Sequence, residues 1–160
     1  MEHLETKPRL YVLIGVPAAG KSTWVIDNQS WMSSMAYIST DQYVEEYAIS
    51  QCKTYSEVFD DYMPSAIERM TDAVIDARES NRDIIWDQTS TTIASRKRKF
   101  RMLPNYYKIG VVFKTPDYNT LQERLQSRPG KIIPPEVVHN MIINWEEPTL
   151  EEGFDEVWFT

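Results

Sequence analysis

The sequence predicts an α/β fold built on a mostly parallel sheet, and three observations carry that prediction. Short apolar runs alternate with stretches of helical periodicity along the chain. The first apolar run ends in a glycine-rich turn that opens a helix, and the third ends in a carboxylate. Polar chemistry therefore gathers at the ends of the apolar runs, which is where sheets of this class bind their ligands.

The elements follow in order. Arg9-Leu10-Tyr11-Val12-Leu13-Ile14-Gly15 reads as a buried strand, brief, apolar and closed by glycine. Lys21 to Asn28 reads as a helix, and Met35-Ala36-Tyr37-Ile38-Ser39 as a second, shorter strand. Helical spacing resumes from Asp41 to about Ile49. A longer helix is expected from about Ser56 to Glu79, where Val58, Phe59, Tyr62, Ile67, Met70, Val74 and Ile75 fall near one face. Pro64 predicts a kink or break near its first turns, because proline removes a backbone donor. Asp83 to Asp87 forms a third strand, about Ile93 to Met102 a helix, and Tyr107 to Phe113 a fourth strand. Asp117 to Gln126 reads as a helix and Ser127-Arg128-Pro129-Gly130-Lys131 as a mobile loop. Pro134 and Pro135 open another helix, to about Asn144, and Glu156 to Phe159 makes a last strand.

A chain of 160 residues with no linker or repeat is expected to form one domain over residues 1–160. A lone cysteine, Cys52, cannot form an internal disulfide. The leader Met1-Glu2-His3-Leu4-Glu5 lacks the basic-then-apolar layout of a signal peptide. No apolar run approaches the ~20 residues of a membrane helix. A cytoplasmic location, in a cell or an infected host cell, and no membrane partner are expected. The net charge of −7 argues against a protein held on nucleic acid by its overall field. A local basic surface remains open: Arg96-Lys97-Arg98-Lys99-Phe100-Arg101 carries five cations in six residues. That run reads either as a solvated helix face or as a phosphate-tracking surface. His3 and His139 are isolated and show no zinc-site spacing, and the five tryptophans read as packing residues.

Gly15-Val16-Pro17-Ala18-Ala19-Gly20-Lys21-Ser22 matches G-x-x-x-x-G-K-[ST] at every fixed position, between a predicted strand and a predicted helix. Glycines let the backbone wrap a phosphate so that successive N–H groups point inward. The helix that follows presents its positive end to the same anion. Gly15, Pro17, Ala18, Ala19, Gly20, Lys21, Ser22 and Thr23 are thus the expected nucleotide site, with Mg2+. Lys21 reaches the β- and γ-phosphates and Ser22 offers a hydroxyl to magnesium. The motif alone does not separate a kinase from an ATPase, a GTPase switch or a motor.

Other polar residues bear on the acceptor. Asp41 follows the second strand, where a carboxylate can accept a hydroxyl proton across from the γ-phosphate. Alternatively it caps the next helix. Asp87 ends the third strand, in place to hold magnesium, contact the acceptor or cap a turn. Arg124 and Arg128 share one helical face and run into the Arg128-Pro129-Gly130-Lys131 loop. Arginines on a closable lid suit phosphoryl transfer, and they also suit a helix C-terminus.

With these residues in hand, the chain resembles the kinase module of the polynucleotide kinases of phage and of the animal kinase–phosphatases. The resemblance runs from Leu10 to Phe159 and implies a P-loop kinase-type three-layer sandwich with a small helical lid. It rests on the P-loop, Asp41, Asp87-Gln88-Thr89, Arg124 and Arg128, and the segment Trp145-Glu146-Glu147-Pro148-Thr149-Leu150-Glu151-Glu152-Gly153-Phe154. It implies that Asp41 takes the proton from a nucleic acid 5′-hydroxyl, with DNA ahead of RNA. It also implies that Asp87 and Thr89 lie on the acceptor side and that the lid arginines contact ATP phosphates. Two departures stand out. Val44 occupies the slot where the phage enzyme grips the acceptor's phosphate with an arginine, and no phosphatase or ligase segment is attached. The module is similar as well to phage kinases that phosphorylate 5-hydroxymethyluridine within DNA. A small-molecule kinase and a non-catalytic nucleotide switch are the competing readings, and the oligomeric state stays open.

Overall fold

The structure is a computed structural model that describes residues 6–160. Residues 1–5, with His3 and the acidic leader, lie outside the described residues. Five strands form one sheet: β1 Arg9–Ile14, β2 Ala36–Ile38, β3 Ile84–Asp87, β4 Tyr107–Val112 and β5 Glu156–Phe159. Their spatial order is β2-β3-β1-β4-β5, and every neighbouring pair is parallel. The chain leaves β1 toward β2 on one side, whereas it leaves β3 toward β4 on the other. Connections thus diverge between β1 and β3, which opens a crevice at their carboxyl ends. Leu13 is paired with Asp87 in that register, so the turn after β1 emerges beside the carboxylate of β3.

Seven α-helices accompany the strands among the described residues: α1 Lys21–Asp27, α2 Gln29–Met32, α3 Thr40–Ser50, α4 Tyr55–Glu79, α5 Ile93–Met102, α6 Tyr118–Gln126 and α7 Pro135–Ile143. Period-two alternation in β1 assigns its side chains to two cores. Leu10, Val12 and Ile14 join Val74 and Ala77 of α4 on one face, with Phe100 of α5 packed alongside. Tyr11 and Leu13 join Met32 of α2 on the other, against Trp24 and Val25 of α1. These are the three layers that the apolar runs imply. Burying each large aliphatic side chain contributes about 1.5–3 kcal/mol, so the strand runs dominate the stability.

Two boundaries differ from expectation. The helix predicted through Asn28 gives way there to a second short helix. The Asn28 side chain donates to the Trp24 carbonyl at 2.8 Å and accepts from Trp31 Nε1 at 3.0 Å, which turns the chain. Pro64 does not break α4, which runs continuously from Tyr55 to Glu79. Packing against α3 overrides the local penalty: Val44 and Ala48 meet Val58 and Ala66 on either side of the proline. Tyr47 stacks on Tyr62 there with ring centroids 4.0 Å apart.

The segment Trp145 to Phe154 returns to the loop between β3 and α5, where Glu146 N–H donates to the Thr91 carbonyl at 3.0 Å. A 3-10 turn at Leu150–Glu152, unpredicted from the sequence, sits within it. Phe154 is buried edge-on against Phe100, and Gly110 of β4 leaves room for its ring. A Cβ at Gly110 would lie 3.1 Å from that ring, so glycine is required by close approach.

Candidate active site

The turn after β1 carries two residues in the left-handed region, Ala18 at φ 65° and Gly20 at φ 106°. Alternation into that region turns successive N–H groups to one side and forms an anion nest. Gly20 then opens α1, whose first N–H groups point the same way. Ala18 bears a left-handed strain of ~1–2 kcal/mol that a glycine would avoid. Its methyl group is nonetheless buried with Val16 against Leu121 of α6 and Val138 of α7, which joins the loop to those helices. Lys21 Nζ bridges the loop, donating to the carbonyls of Gly15 at 2.7 Å and Val16 at 2.9 Å. Burial pushes the Lys21 pKa down to about 8, against the pull of Asp87 and Asp41. Gly15 N–H donates to the Thr89 carbonyl at 3.0 Å and so seals the β1 and β3 ends together.

Asp87 is buried at the end of β3 and accepts a short hydrogen bond from the Tyr37 hydroxyl of β2. Burial raises its pKa, opposed by the Tyr37 bond and by Lys21. Burial and the adjacent Asp87 charge in turn hold the Tyr37 phenol far above its ordinary pKa, so it acts as a donor. Gln88 Nε2 donates to Thr40 Oγ1 at 3.2 Å, tying the β3 loop to the start of α3.

Asp41 is exposed in the first turn of α3 and does not cap it. Ser39 is the cap, with its hydroxyl accepting from Gln42 N–H at 3.3 Å. The Asp41 carboxylate is therefore free of backbone duty and faces the cleft. Its Oδ1 accepts from the Tyr55 hydroxyl at 2.6 Å, and its Oδ2 from Lys131 Nζ at 3.1 Å.

The loop after α6 is docked over this side of the cleft. Ser56 N–H donates to the Gly130 carbonyl at 3.0 Å, and Ile132 N–H to Ser56 Oγ at 2.8 Å. Thr54 and Glu57 form a capping box that fixes the first turn of α4 beneath it. Arg124 donates to the Ala18 carbonyl at 3.1 Å and so anchors α6 on the phosphate loop. Arg128 lines the cleft beside it.

A cleft of about 1670 Å³ brings nearly all the expected residues together: Pro17 to Thr23, Asp41, Asp87, Thr89, Arg124 and Arg128. Gly15 lies just beneath, through its bond to Thr89. Val44 is fully buried in the α3–α4 contact, so its slot does not face the cleft. The wall beyond Asp41 is formed instead by Glu45, Ile49, Lys53, Phe59 and Met63.

The basic run divides between a solvated face and the interior. Arg96 is fully buried and Lys99 nearly so, while Lys97, Arg98 and Arg101 are exposed, and none of them lines the cleft. Arg96 forms a two-pronged ion pair with Glu152 and donates to the Ser90 carbonyl at 2.9 Å and the Glu146 carbonyl at 3.0 Å. Lys99 lies 5.1 Å from the centre of the Trp86 ring. The Trp145–Phe154 segment thus clasps the loop that carries Asp87 and Thr89, with Glu146 also accepting from Ile93 N–H at 3.3 Å.

Sequence reasoning missed Tyr37, Tyr55 and the contact of Lys131. Only Tyr55 had a local signal: Thr54-Tyr55-Ser56-Glu57 is a capping box that places it first in α4.

A parallel sheet in this order, with a glycine-rich loop on β1 and a two-helix lid, is the P-loop kinase fold. A family model for an AAA domain matches residues 10–148, and the chain belongs to that family, whose P-loop is a nucleotide-binding loop. Three solved structures share the fold at low identity. A candidate kinase from Chloroflexus aurantiacus is 18% identical over 97% of this chain and 88% of its own, with a TM-score of 0.69. A chain of the Pnkp1/Rnl/Hen1 RNA repair complex is 18% identical over 89% of this chain, with a TM-score of 0.68, and only 45% of its length is covered. A gluconokinase from Sinorhizobium meliloti is 19% identical over 96% of this chain and 82% of its own, with a TM-score of 0.53.

Proposed function

We propose that this protein is an ATP-dependent phosphotransferase that moves the γ-phosphate onto a hydroxyl of nucleic acid, the 5′-end first. The observation that carries the reading is the convergence of the phosphate loop and an uncapped, exposed carboxylate, Asp41, on one cleft beneath an arginine-bearing lid. In this reading the loop amides and Lys21 hold the triphosphate. Arg128 faces the charge that spreads over the γ-phosphate oxygens as the bond to ADP breaks. Asp41 takes the acceptor's hydroxyl proton as its oxygen attacks phosphorus, and ADP leaves.

The donor set also fits magnesium. Ser22 and Asp87 supply hard oxygen ligands, and a carboxylate that burial makes costly to ionise gains from a cation. These two residues would hold the ion, which would supply positive charge to offset the phosphate oxygens.

The nucleic acid acceptor is supported by the resemblance to polynucleotide kinases and by the fold shared with the RNA repair chain. One observation favours a second reading, a hydroxymethyl group on a DNA base. Val44 is buried, and the wall beyond Asp41 presents Ile49, Phe59 and Met63 with Lys53 as its one cation and no arginine. A flat base suits such a wall better than a phosphate does.

The test uses γ-labelled ATP, magnesium and a panel of acceptors. The panel holds oligonucleotides with 5′-hydroxyl ends, 5′-phosphorylated oligonucleotides containing hydroxymethyluracil, free nucleosides and gluconate. Label on the first is expected; label on the second alone selects the base reading. Label only on a small molecule overturns the nucleic acid assignment. Asp41→Asn should lower transfer by roughly 10²-fold or more while leaving ATP binding intact, and Lys21→Ala should remove turnover.

A further inference from the structure

The lid meets Asp41 through a lysine. Lys131 Nζ lies 3.1 Å from Asp41 Oδ2 and 3.3 Å from Glu45 Oε1, and 4.4 Å from the centre of the Tyr55 ring. Its side chain is only 14% exposed, although both carboxylates are about half exposed. Tyr55 in turn donates its hydroxyl to Asp41 Oδ1 at 2.6 Å. Three elements, α3, α4 and the α6–α7 loop, therefore converge on one carboxylate, and each of its oxygens has one partner.

We propose that Tyr55 and Lys131 form a clamp that fixes Asp41 through Oδ1 and covers Oδ2 until the acceptor hydroxyl displaces the lysine, so that the same carboxylate does not activate water against ATP. The inference rests on the phosphotransferase reading and extends it to the suppression of hydrolysis.

The two partners differ in kind. Burial and the Asp41 charge hold the Tyr55 phenol far above its ordinary pKa, so it remains a donor at neutral pH. Oδ1 is thereby a permanent acceptor, and the ring fixes the plane of the carboxylate. Lys131 itself lies in a loop outside any strand or helix, docked on the first turn of α4 through Ser56. It can leave without unfolding anything. An ammonium on Oδ2 occupies one of that oxygen's two lone pairs and crowds the approach of a water to the other. A water molecule there would lose its proton to Asp41, attack the γ-phosphorus and release ADP and phosphate. An acceptor hydroxyl must take the same place for productive transfer. Tyr55 is a positioning residue in this scheme, since it acts through Asp41.

The experiment follows ADP and phosphate release from ATP with no acceptor present, in the full chain. Lys131→Met keeps the aliphatic stem over Tyr55 and removes the charge. Acceptor-free hydrolysis should rise by roughly tenfold or more, within the ~10²–10⁴-fold range of general-base catalysis. Adding Asp41→Asn to that variant should return it to the wild-type rate. Tyr55→Phe in the Lys131→Met background should lower kcat with KM for ATP unchanged, whereas a merely structural loss would move both. Thermal melting of each variant controls for folding. Hydrolysis that is unchanged or lower in Lys131→Met overturns the clamp, as does a rise that persists with Asp41→Asn. The phosphotransferase reading fails separately, if Lys21→Ala retains the wild-type rate of ATP turnover.

Discussion

Lys21 donates to two carbonyls of its own loop, and burial holds its pKa near 8. A triphosphate drawn into the nest adds negative charge beside it and raises that value, so nucleotide binding takes up a proton near pH 8. The sign follows by linkage. Affinity for ATP should be full below pH 7 and should fall by about tenfold between pH 7 and pH 9 as free Lys21 loses its charge. Calorimetry in buffers of different ionisation enthalpy measures both the affinity and the proton uptake. Lys21→Met should bind more weakly with no pH slope across this window; an equal slope in the variant would assign the proton elsewhere. At this scale the phosphate loop was fully legible, because its chemistry is encoded in eight consecutive residues from Gly15 to Ser22. Tyr37 and Tyr55 were not. Tyr37 reaches its carboxylate across 50 positions and Tyr55 across 14, and no local pattern encodes either approach.

The lid element depends on one glycine. Gly130 adopts φ +67°, and a Cβ there would lie 2.8 Å from the Thr54 Cβ. Gly130→Ala combines left-handed strain of ~1–2 kcal/mol with that overlap, so the loop should lift from the first turn of α4. Stability should change little, because the loop contributes few buried side chains. Hydrogen exchange of the Ser56 and Ile132 amides should speed up, and phosphotransfer should fall while ATP affinity holds. An unchanged exchange rate would show that the docking rests on other contacts. The helices flanking this loop were legible from periodicity and from Pro134-Pro135. Its docked position was not, because the partner surface is the capping box at Thr54, some seventy residues earlier. Tertiary packing likewise overruled local propensity at Pro64, where α3 holds α4 straight through the proline.

The molecule as a whole is joined by Arg96. The sheet order itself was not deduced from the sequence, though its parallel character followed from the alternation of strands and helices. Lys97, Arg98 and Arg101 are solvated as a charged helix face should be, but Arg96 and Lys99 are buried, because burial depends on what returns to meet a charge. Glu152 returns from 56 residues away. Both partners are almost entirely buried, with side-chain exposures of 0% and 4%. Glu152→Gln leaves a buried guanidinium short of its counter-charge and should cost about 3–5 kcal/mol in urea unfolding. The pair Arg96→Met with Glu152→Met should recover most of that loss. Equal destabilisation by the single and double variants would mean that packing, and not charge, sets the cost.

The clasp also has a timetable. During synthesis the P-loop, Lys21 and Asp41 leave the ribosome early, and Arg96 follows, yet Glu152 emerges 56 residues after that arginine. Until it does, the loop bearing Asp87 and Thr89 lacks the segment that braces it. A nascent chain stalled in that interval would hold a phosphate nest without a fixed opposite wall. Translation therefore delivers the nest first and the brace of its opposite wall later.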